Sequence, residues 1–317
     1  MGFRVITPGP LTTVQDAGRT GYQSQGFPVG GAMDLQALRM GNLLVGNPEN
    51  EAALEFALSG PELVFTDSTF IAVTGGVARP EINGKPVPAG SALRIRKGDR
   101  LRVGAMQEGM YGYIAFAGGL DIPVIMGSRS TSLTCGIGGY EGRKLAAGDE
   151  IRERAQRIRL PHLRARRLPE AGTIPPVFRV IMGPQHGMFT LRGTEIFLMS
   201  EYIVTTETNR MGCRLDGPVI PAKHASDIIS DGITPGAIQI ASDGKPIILL
   251  ADRQTTGGYA KIASVITVDL PRLVQTRPGT KIRFQAITLE EAQAMIRQEK
   301  QYMNYLRERF RQPWRHR

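Results

Sequence analysis

The stretch PIILLADRQTTGGYAKIASVITVDL, residues 246 to 270, reads as two short apolar runs held apart by a polar octapeptide. The runs, Pro246 to Ala251 and Ile262 to Leu270, are rich in Ile, Leu and Val and too short for buried helices. They are therefore strands, and the octapeptide Asp252 to Tyr259 is their connection. The Asp252 carboxylate, the Arg253 guanidinium, the Gln254 amide, the hydroxyls of Thr255 and Thr256 and the adjacent Gly257 and Gly258 converge on it. Adjacent glycines let backbone N–H groups turn toward one point, and beside threonine hydroxyls that makes a donor-lined concavity suited to a carboxylate, a phosphate or a polarised carbonyl. A polar hairpin with no ligand is the competing reading.

The same strand signature recurs along the chain. Phe70 to Thr74, Leu93 to Arg96, Leu101 to Val103, Tyr111 to Ala117, Phe178 to Met182 and Ala237 to Ala241 are β-type runs punctuated by Gly, Pro, Asn or Asp, the spacing of barrels or sandwiches. Helical patterns are few. Asp34 to Leu44 has an imperfect apolar face from Leu35, Leu38 and Leu43. The C-terminal segment opens with Thr288 and Glu291 as a capping box and continues with Ala292, Ile296, Met303, Leu306 and Phe310 at helical spacing. Four fragments repeat in the same order: Phe3-Arg4-Val5-Ile6 with Phe178-Arg179-Val180-Ile181, Arg39-Met40-Gly41 with Arg210-Met211-Gly212, Gly138-Gly139-Tyr140 with Gly257-Gly258-Tyr259, and Gly148 to Arg152 with Gly279 to Arg283. They are short and their offsets differ, so chance competes with duplication. Duplication puts an N-terminal β domain over residues 1–165, a C-terminal β domain over 166–287 and an amphipathic helix with a basic tail over 288–317, with the boundary in the stretch Pro161 to Pro176.

At 317 residues the chain exceeds what one core usually serves. Its net charge of +10 is local: Arg152 to Arg167 holds seven arginines against Glu153, Arg297 to Arg317 holds seven basic residues against Glu299 and Glu308, and these two segments account for all of it. A nucleic-acid surface would spread Lys and Arg over a folded face, so nucleic acid is excluded as a main partner. Cys135 and Cys213 are too few for a disulfide framework or a cysteine-rich metal site. The start, Met1-Gly2-Phe3-Arg4-Val5, lacks a secretory pattern and no run is long enough to span a bilayer, which predicts a cytoplasmic protein without membrane partners. His162, His186, His224 and His316 match no zinc pattern, so no metal is expected. His224 and Asp227 read as a hydrogen-bonded pair or a surface loop pair. No nucleophile elbow is present, and Gly127-Ser128-Arg129-Ser130-Thr131 offers hydroxyls without a nearby base, which disfavours a serine hydrolase. The glycine-rich Gly136 to Lys144 fits neither phosphate-loop spacing and reads as a turn.

Several stretches together resemble one family. Thr12 to Gly21, Gly31-Ala32-Met33-Asp34, Asn42 to Asn47, Glu55 and Gly60-Pro61 are similar to the N-terminal half of the KipA, or allophanate hydrolase subunit 2-like, family. Arg210 to Leu215, Ser230-Asp231-Gly232, Gly236 to Gln239, Gly244-Lys245-Pro246 and Asp252 to Tyr259 are similar to its C-terminal half. The resemblance implies a mainly β protein, two cyclophilin-like β-barrel domains in tandem plus a C-terminal α-helix. It also implies the C subunit of an ATP-dependent 5-oxoprolinase that works beside the A and B subunits and turns 5-oxo-L-proline into L-glutamate. The same module occurs as the carboxyltransferase component of biotin-dependent, urea-type carboxylases, and one relative acts without catalysis by binding a KipI-like protein, the counterpart of the B subunit. Fold alone does not choose among these.

On the hydrolase reading, Arg210 and the backbone of Thr255, Thr256, Gly257 and Gly258 hold an anionic group, Asp252 and Gln254 orient substrate or water, and Tyr259 closes the pocket. Gln15, Asp16, Arg19 and Asp34 line the same cleft from the other domain, with Asp16 and Arg19 equally readable as a turn-fixing ion pair. ATP belongs to the complex, and biotin enters only under the carboxylase alternative, supplied by other polypeptides. The chain departs from the family pattern at Asn209, where an Asp is usual, and at Ala241 and Ala260, where prolines are. The first removes a carboxylate beside the site; the alanines change only loop stiffness.

Overall fold

A computed structural model describes residues 2–154, 163, 166–169, 176–224 and 226–311. It divides into two compact units: the first comprises Met1–Thr20, Gly30–Ala171 and Met303–Arg317, the second Gly21–Val29 and Gly172–Tyr302. All six apolar runs singled out above are strands, because each alternates or concentrates β-branched and aromatic side chains between turn residues. Most of the predicted linker lies outside the described residues, as do His162, His316 and the last six residues of the basic tail.

In the first unit every described strand pairing is antiparallel. One sheet runs, in spatial order, Glu150–Arg152, Gly2–Thr7, Ser59–Phe65, Arg100–Ala105, Glu81–Ile82, Lys85–Pro86; the other runs Leu11–Gln15, Ala53–Ala57, Glu108–Phe116, Thr69–Val77, Ala92–Ile95. The strands thus form two sheets, not one closed barrel. Phe3 stacks on Phe116 with ring centroids 4.7 Å apart, and Phe65, Leu54, Phe56 and Val103 complete a core from which water is excluded. Helix α1 (Leu35–Val45) starts where Asp34 accepts a hydrogen bond from the N–H of Ala37 (2.9 Å) and stops at Gly46, whose φ of 80° only glycine adopts readily. It packs on strands Thr69–Val77 and Glu108–Phe116, and the Thr74 hydroxyl donates to the carbonyl of Ala37 (2.8 Å).

The second unit closes. Its barrel runs Val177–Met182, Lys261–Val265, Ala237–Ile240, Pro246–Leu249, Gly212–Asp216, Tyr202–Val204, Lys281–Ala286 and back to Val177–Met182. That last seam is parallel and the other rungs are antiparallel. Helix α2 (Leu191–Met199), capped by the Thr190 hydroxyl, buries Phe197 against Phe284 and Tyr202. The apolar run expected to continue as strand to Leu270 ends at Val265. A 3₁₀ turn (Thr267–Asp269) and helix α3 (Leu270–Val274) follow, because the fully buried Asp269 carboxylate accepts from the backbone and guanidinium of Arg179 and pairs with Arg272. A ribbon, Asp227–Gly232 against Thr256–Tyr259, stands outside the barrel.

The capping box exists: the Thr288 N–H donates to Glu291 (2.8 Å), and the Glu291 N–H to the Thr288 hydroxyl (3.2 Å), opening helix α4 (Leu289–Arg311). Its C-terminal part, counted with the first unit, buries Met303, Leu306 and Phe310. Arg307 there pairs with Glu49, and buried Arg166 donates to the carbonyls of Phe310 (2.7 Å) and Leu43 (3.0 Å). No helix among the described residues is long and apolar enough to cross a membrane, which says nothing of a crossing by strands.

Two of the four sequence echoes fall on like elements. Phe3 to Ile6 and Phe178 to Ile181 lie in the first long strand of their units, and Gly148 and Gly279 each precede a strand. These strands pair antiparallel in the first unit and parallel in the second. Arg39-Met40-Gly41 is helical whereas Arg210-Met211-Gly212 is a turn leading into a strand. The repetition is local and is not carried into the pairing.

Glu153 gives the first unit a pH response. Burial pushes its carboxyl up to about 7, against the hydrogen bond it accepts from the Thr69 hydroxyl (2.6 Å). The folded state then holds a proton the unfolded chain has released, so this contribution is full below about pH 4.5 and is lost as pH rises through about 7. Chemical denaturation at pH 5 and pH 8 should show the first unit losing up to about 3 kcal/mol from this group, and Glu153→Gln should flatten that slope. An unchanged slope in the variant would refute the assignment.

Candidate functional site

Neighbouring barrel strands bring two loops together in the second unit. Strand Gly212–Asp216 pairs with Pro246–Leu249 in the register Gly212 to Leu249 and Cys213 to Ile248, so the residues before Gly212 run beside those after Leu249. Pairing continues past the strand ends: the N–H of Leu250 donates to Met211 (3.0 Å) and that of Asp252 to Arg210 (2.9 Å). The side chains complete the link. Arg210 Nε lies 2.7 Å from Asp252 Oδ2 and Nη2 lies 2.9 Å from Oδ1, a bidentate fork with side-chain exposures of 7% and 10%. Asn209 shapes the turn: its side-chain oxygen accepts from the Met211 N–H (2.8 Å). An Asp would bond the same way, so the departure from the family pattern keeps the turn and removes a charge.

The octapeptide is half turn and half strand. Thr256–Tyr259 pairs antiparallel with Asp227–Gly232, with Gly257 opposite Asp231. Neither Gly257 nor Gly258 has positive φ, so the expected nest of convergent N–H groups is absent here, because extended backbone points successive N–H groups to opposite sides. Glycine is needed at 257 for room: a Cβ there would come within 2.6 Å of Ile233 Cδ1 and 2.9 Å of Gln239 Nε2.

Between these loops lies a cavity of about 260 Å³. Ile233, Ile247, Leu249 and Met211 supply its apolar wall; Asn209, Gln239, Gln254, Arg253 and the backbone of Gly257 and Gly258 supply polar groups, and Tyr259 also lines it. The amide of Gln239 donates to the Tyr259 carbonyl (3.1 Å), fixing the ribbon to the barrel. Glu207 and Arg214 also line it and face each other at 3.5 Å, both largely exposed. Of the residues expected here, Gln254, Gly257, Gly258 and Tyr259 line the cavity, whereas Arg210, Asp252, Thr255 and Thr256 lie off its wall. Arg210 was expected to grip an anion and Asp252 to orient substrate; they bind each other, because the register sets them side by side. Arg253, Gln239 and Met211 were given no role from sequence. Arg253 stood in the quoted octapeptide, but which of its side chains turn inward depends on strand pairing.

Gln15, Asp16, Arg19 and Asp34 belong to the first unit and are buried there. Asp16 accepts from the hydroxyls of Ser128 (2.7 Å) and Ser130 (2.6 Å) and from the N–H of Arg129 (2.6 Å). Arg19, 1% exposed, donates to the carbonyls of Ile125 and Ser130. Both fix the segment 125–130, each through its own partners and not as an ion pair. Gln15 donates to Thr13 and to the Thr131 carbonyl, and Asp34 caps α1. The glycine-rich turn 136–142 lines a separate cavity of about 470 Å³. Three of its glycines are explained by packing, since a Cβ at Gly138, Gly139 or Gly142 would collide with Ser130, Thr131 or Gly136, and Gly136 has a φ of +63° with open space around it. The turn has no phosphate-loop spacing, and the cation on the cavity wall is Arg152 rather than a lysine. Among the described residues no three His, Cys, Asp or Glu side chains are grouped to hold a metal ion.

Residues 25–286 match the family model described as carboxyltransferase domain, subdomain A and B. The chain is similar to the C subunit of 5-oxoprolinase from Escherichia coli (strain K12), 36% identical over 305 residues that cover 96% of this chain and 97% of that protein. It is likewise similar to the C subunit of 5-oxoprolinase from Haemophilus influenzae, 37% identical over 295 residues, 93% and 94% of the two chains. Among solved structures it resembles urea carboxylase of Kluyveromyces lactis, with a TM-score of 0.88 and 29% identity over 96% of this chain and 29% of that one.

The buried fork has a measurable signature. Arg210→Met leaves the Asp252 carboxylate buried without its cation, and Asp252→Leu leaves the guanidinium alone; each should cost about 3–5 kcal/mol of stability in denaturant unfolding. The double variant should recover most of that loss. Additive losses in the double variant would show that the two residues act separately.

Proposed function

The chain belongs to the family of carboxyltransferase domains, subdomain A and B, and from that membership we propose that it is the C subunit of an ATP-dependent 5-oxoprolinase, working with the A and B subunits to hydrolyse 5-oxo-L-proline to L-glutamate. The observation that carries this reading is the near full-length likeness to two proteins named as the C subunit of 5-oxoprolinase, at 36% and 37% identity. The likeness to urea carboxylase extends over under a third of that chain, so the matched residues account for the carboxyltransferase part of the carboxylase reading and not for its biotin or the biotin carrier.

The cavity suits a small amide. Hydrolysis of a lactam adds water across its C–N bond, giving a carboxylate at the carbonyl carbon and a free amine at the nitrogen. Amide resonance makes that carbonyl a poor electrophile, so the reaction rewards donors aimed at its oxygen and a site that holds ring and water in register. On this reading Gln254 and Gln239 supply the polar groups, with Asn209 at the turn, and Ile233, Ile247 and Leu249 of the cavity lining offer apolar surface to the ring methylenes. Arg210 and Asp252 act through the loops they join. The glycine-rich turn of the first unit lacks phosphate-loop spacing, and ATP is assigned to the complex as a whole.

The purified chain mixed with the A and B subunits, ATP and 5-oxo-L-proline should release glutamate at a rate that collapses when this chain is omitted, and Gln254→Ala should lower kcat/KM about tenfold or more. An unchanged rate on omission defeats the reading. Tight binding to the B subunit with no effect on rate would make the chain a regulator, and bicarbonate-dependent carboxylation of urea with a biotinylated carrier would make it a carboxyltransferase.

A further inference from the structure

Among the described residues of the second unit, Arg253 is a buried charged group that no opposite charge meets. It is 8% exposed and lines the cavity. Its Nε donates to the carbonyl of Ile233 (3.1 Å) and its Nη1 to that of Leu250 (3.2 Å), both neutral acceptors. No carboxylate among the described residues lies within ion-pair distance of it, and Nη2 has no acceptor among them. The acids nearby in chain or space are already engaged: Asp252 by Arg210, Glu207 by Arg214, Asp231 by Lys261 at 2.7 Å. Burial pulls the Arg253 guanidinium below its ordinary pKa, yet arginine remains charged in proteins.

A buried cation with no counter-charge is costly to keep, and one whose orientation is fixed by two carbonyls has one donor edge left for a partner. The planar guanidinium matches a carboxylate, and the cavity admits a single small ring with its substituents. From this geometry we infer that Arg253 is the carboxylate-binding residue of the cavity and that it selects a small anionic lactam over a neutral amide. The inference rests on the proposed function and deepens it: 5-oxoproline carries a carboxylate beside its ring nitrogen, whereas urea carries none. Arg253 is then a specificity residue, with Gln239 and Gln254 left to the lactam itself.

The test is calorimetric titration of the full chain, alone and mixed with the A and B subunits, with 5-oxo-L-proline and with 2-pyrrolidinone, the same ring without the carboxylate. The wild type should bind 5-oxoproline about 10- to 100-fold more tightly than 2-pyrrolidinone. Arg253→Met should erase that preference with 2-pyrrolidinone binding unchanged, and Arg253→Lys should keep part of it. Equal affinity of the wild type for the two ligands, binding of neither, or a preference that survives in Arg253→Met overturns the inference. Should Arg253→Met fail to fold in a melting experiment, the wild-type ligand pair and Arg253→Lys still decide. Equal affinities beside intact glutamate release sink the carboxylate site alone; a firm preference without glutamate release sinks the proposed function alone.

Discussion

The fork between Arg210 and Asp252 joins two loops that are 42 residues apart in sequence. Barrel register brings their backbones into hydrogen-bonding range, but beyond the strand ends only two N–H···O bonds continue the pairing. The bidentate charge pair fixes what the ladder no longer does. A pair this deep adds little net stability compared with apolar residues of the same shape, since both ions gave up water. It makes one loop arrangement far better than any that separates the charges, and the cavity wall is built from residues that follow, Arg253, Gln254 and Gly257 to Tyr259 on one loop and Met211 and Gly212 on the other.

The two units solve the same problem differently. The second closes its sheet by a parallel seam, leaving no edge in the barrel. The first spreads its strands over two sheets and buries polar groups to hold its loops. The hydroxyl of Tyr113 donates to Glu55, which also accepts from the N–H of Met33, and the Tyr113 oxygen accepts from the N–H of Asp34. Burial, with the Glu55 charge, lifts the phenol well above its ordinary pKa, so this tyrosine is a structural hydrogen-bond node. Asp16 is another such node, with its oxygens occupied by the segment 128–130.

Strand identity was legible because it is written in local pattern, and so were α1 and the capping box of α4, where side chain and backbone lie within one turn. Pairing was not. The echo between Phe3 to Ile6 and Phe178 to Ile181 is genuine at the level of the strand, yet the strands pair with partners of opposite direction, which no short motif encodes. The same limit explains the site. Arg210, Asp252 and Gly257-Gly258 looked like ligand groups because polar residues beside strands often are, but register turned the first two on each other and drew the glycines into a ribbon. Gln254 precedes that ribbon and Tyr259 ends it, both within the polar octapeptide that the sequence singles out, whereas Gln239 sits inside an apolar strand whose inward face shows only after closure.

Arg210 and Arg253 show how burial separates two roles that sequence leaves identical. Both are arginines near the same turn and both are more than nine-tenths buried. A carboxylate neutralises the first, so little electrostatic attraction remains for a ligand; carbonyl dipoles orient the second and leave its charge standing. In a low-dielectric pocket that difference outweighs any difference in exposure, because interaction between charges grows as water is removed. Adjacent positions in the chain, Asp252 and Arg253, thereby divide the work: one secures the loop and the other presents a charge to the cavity the loop encloses.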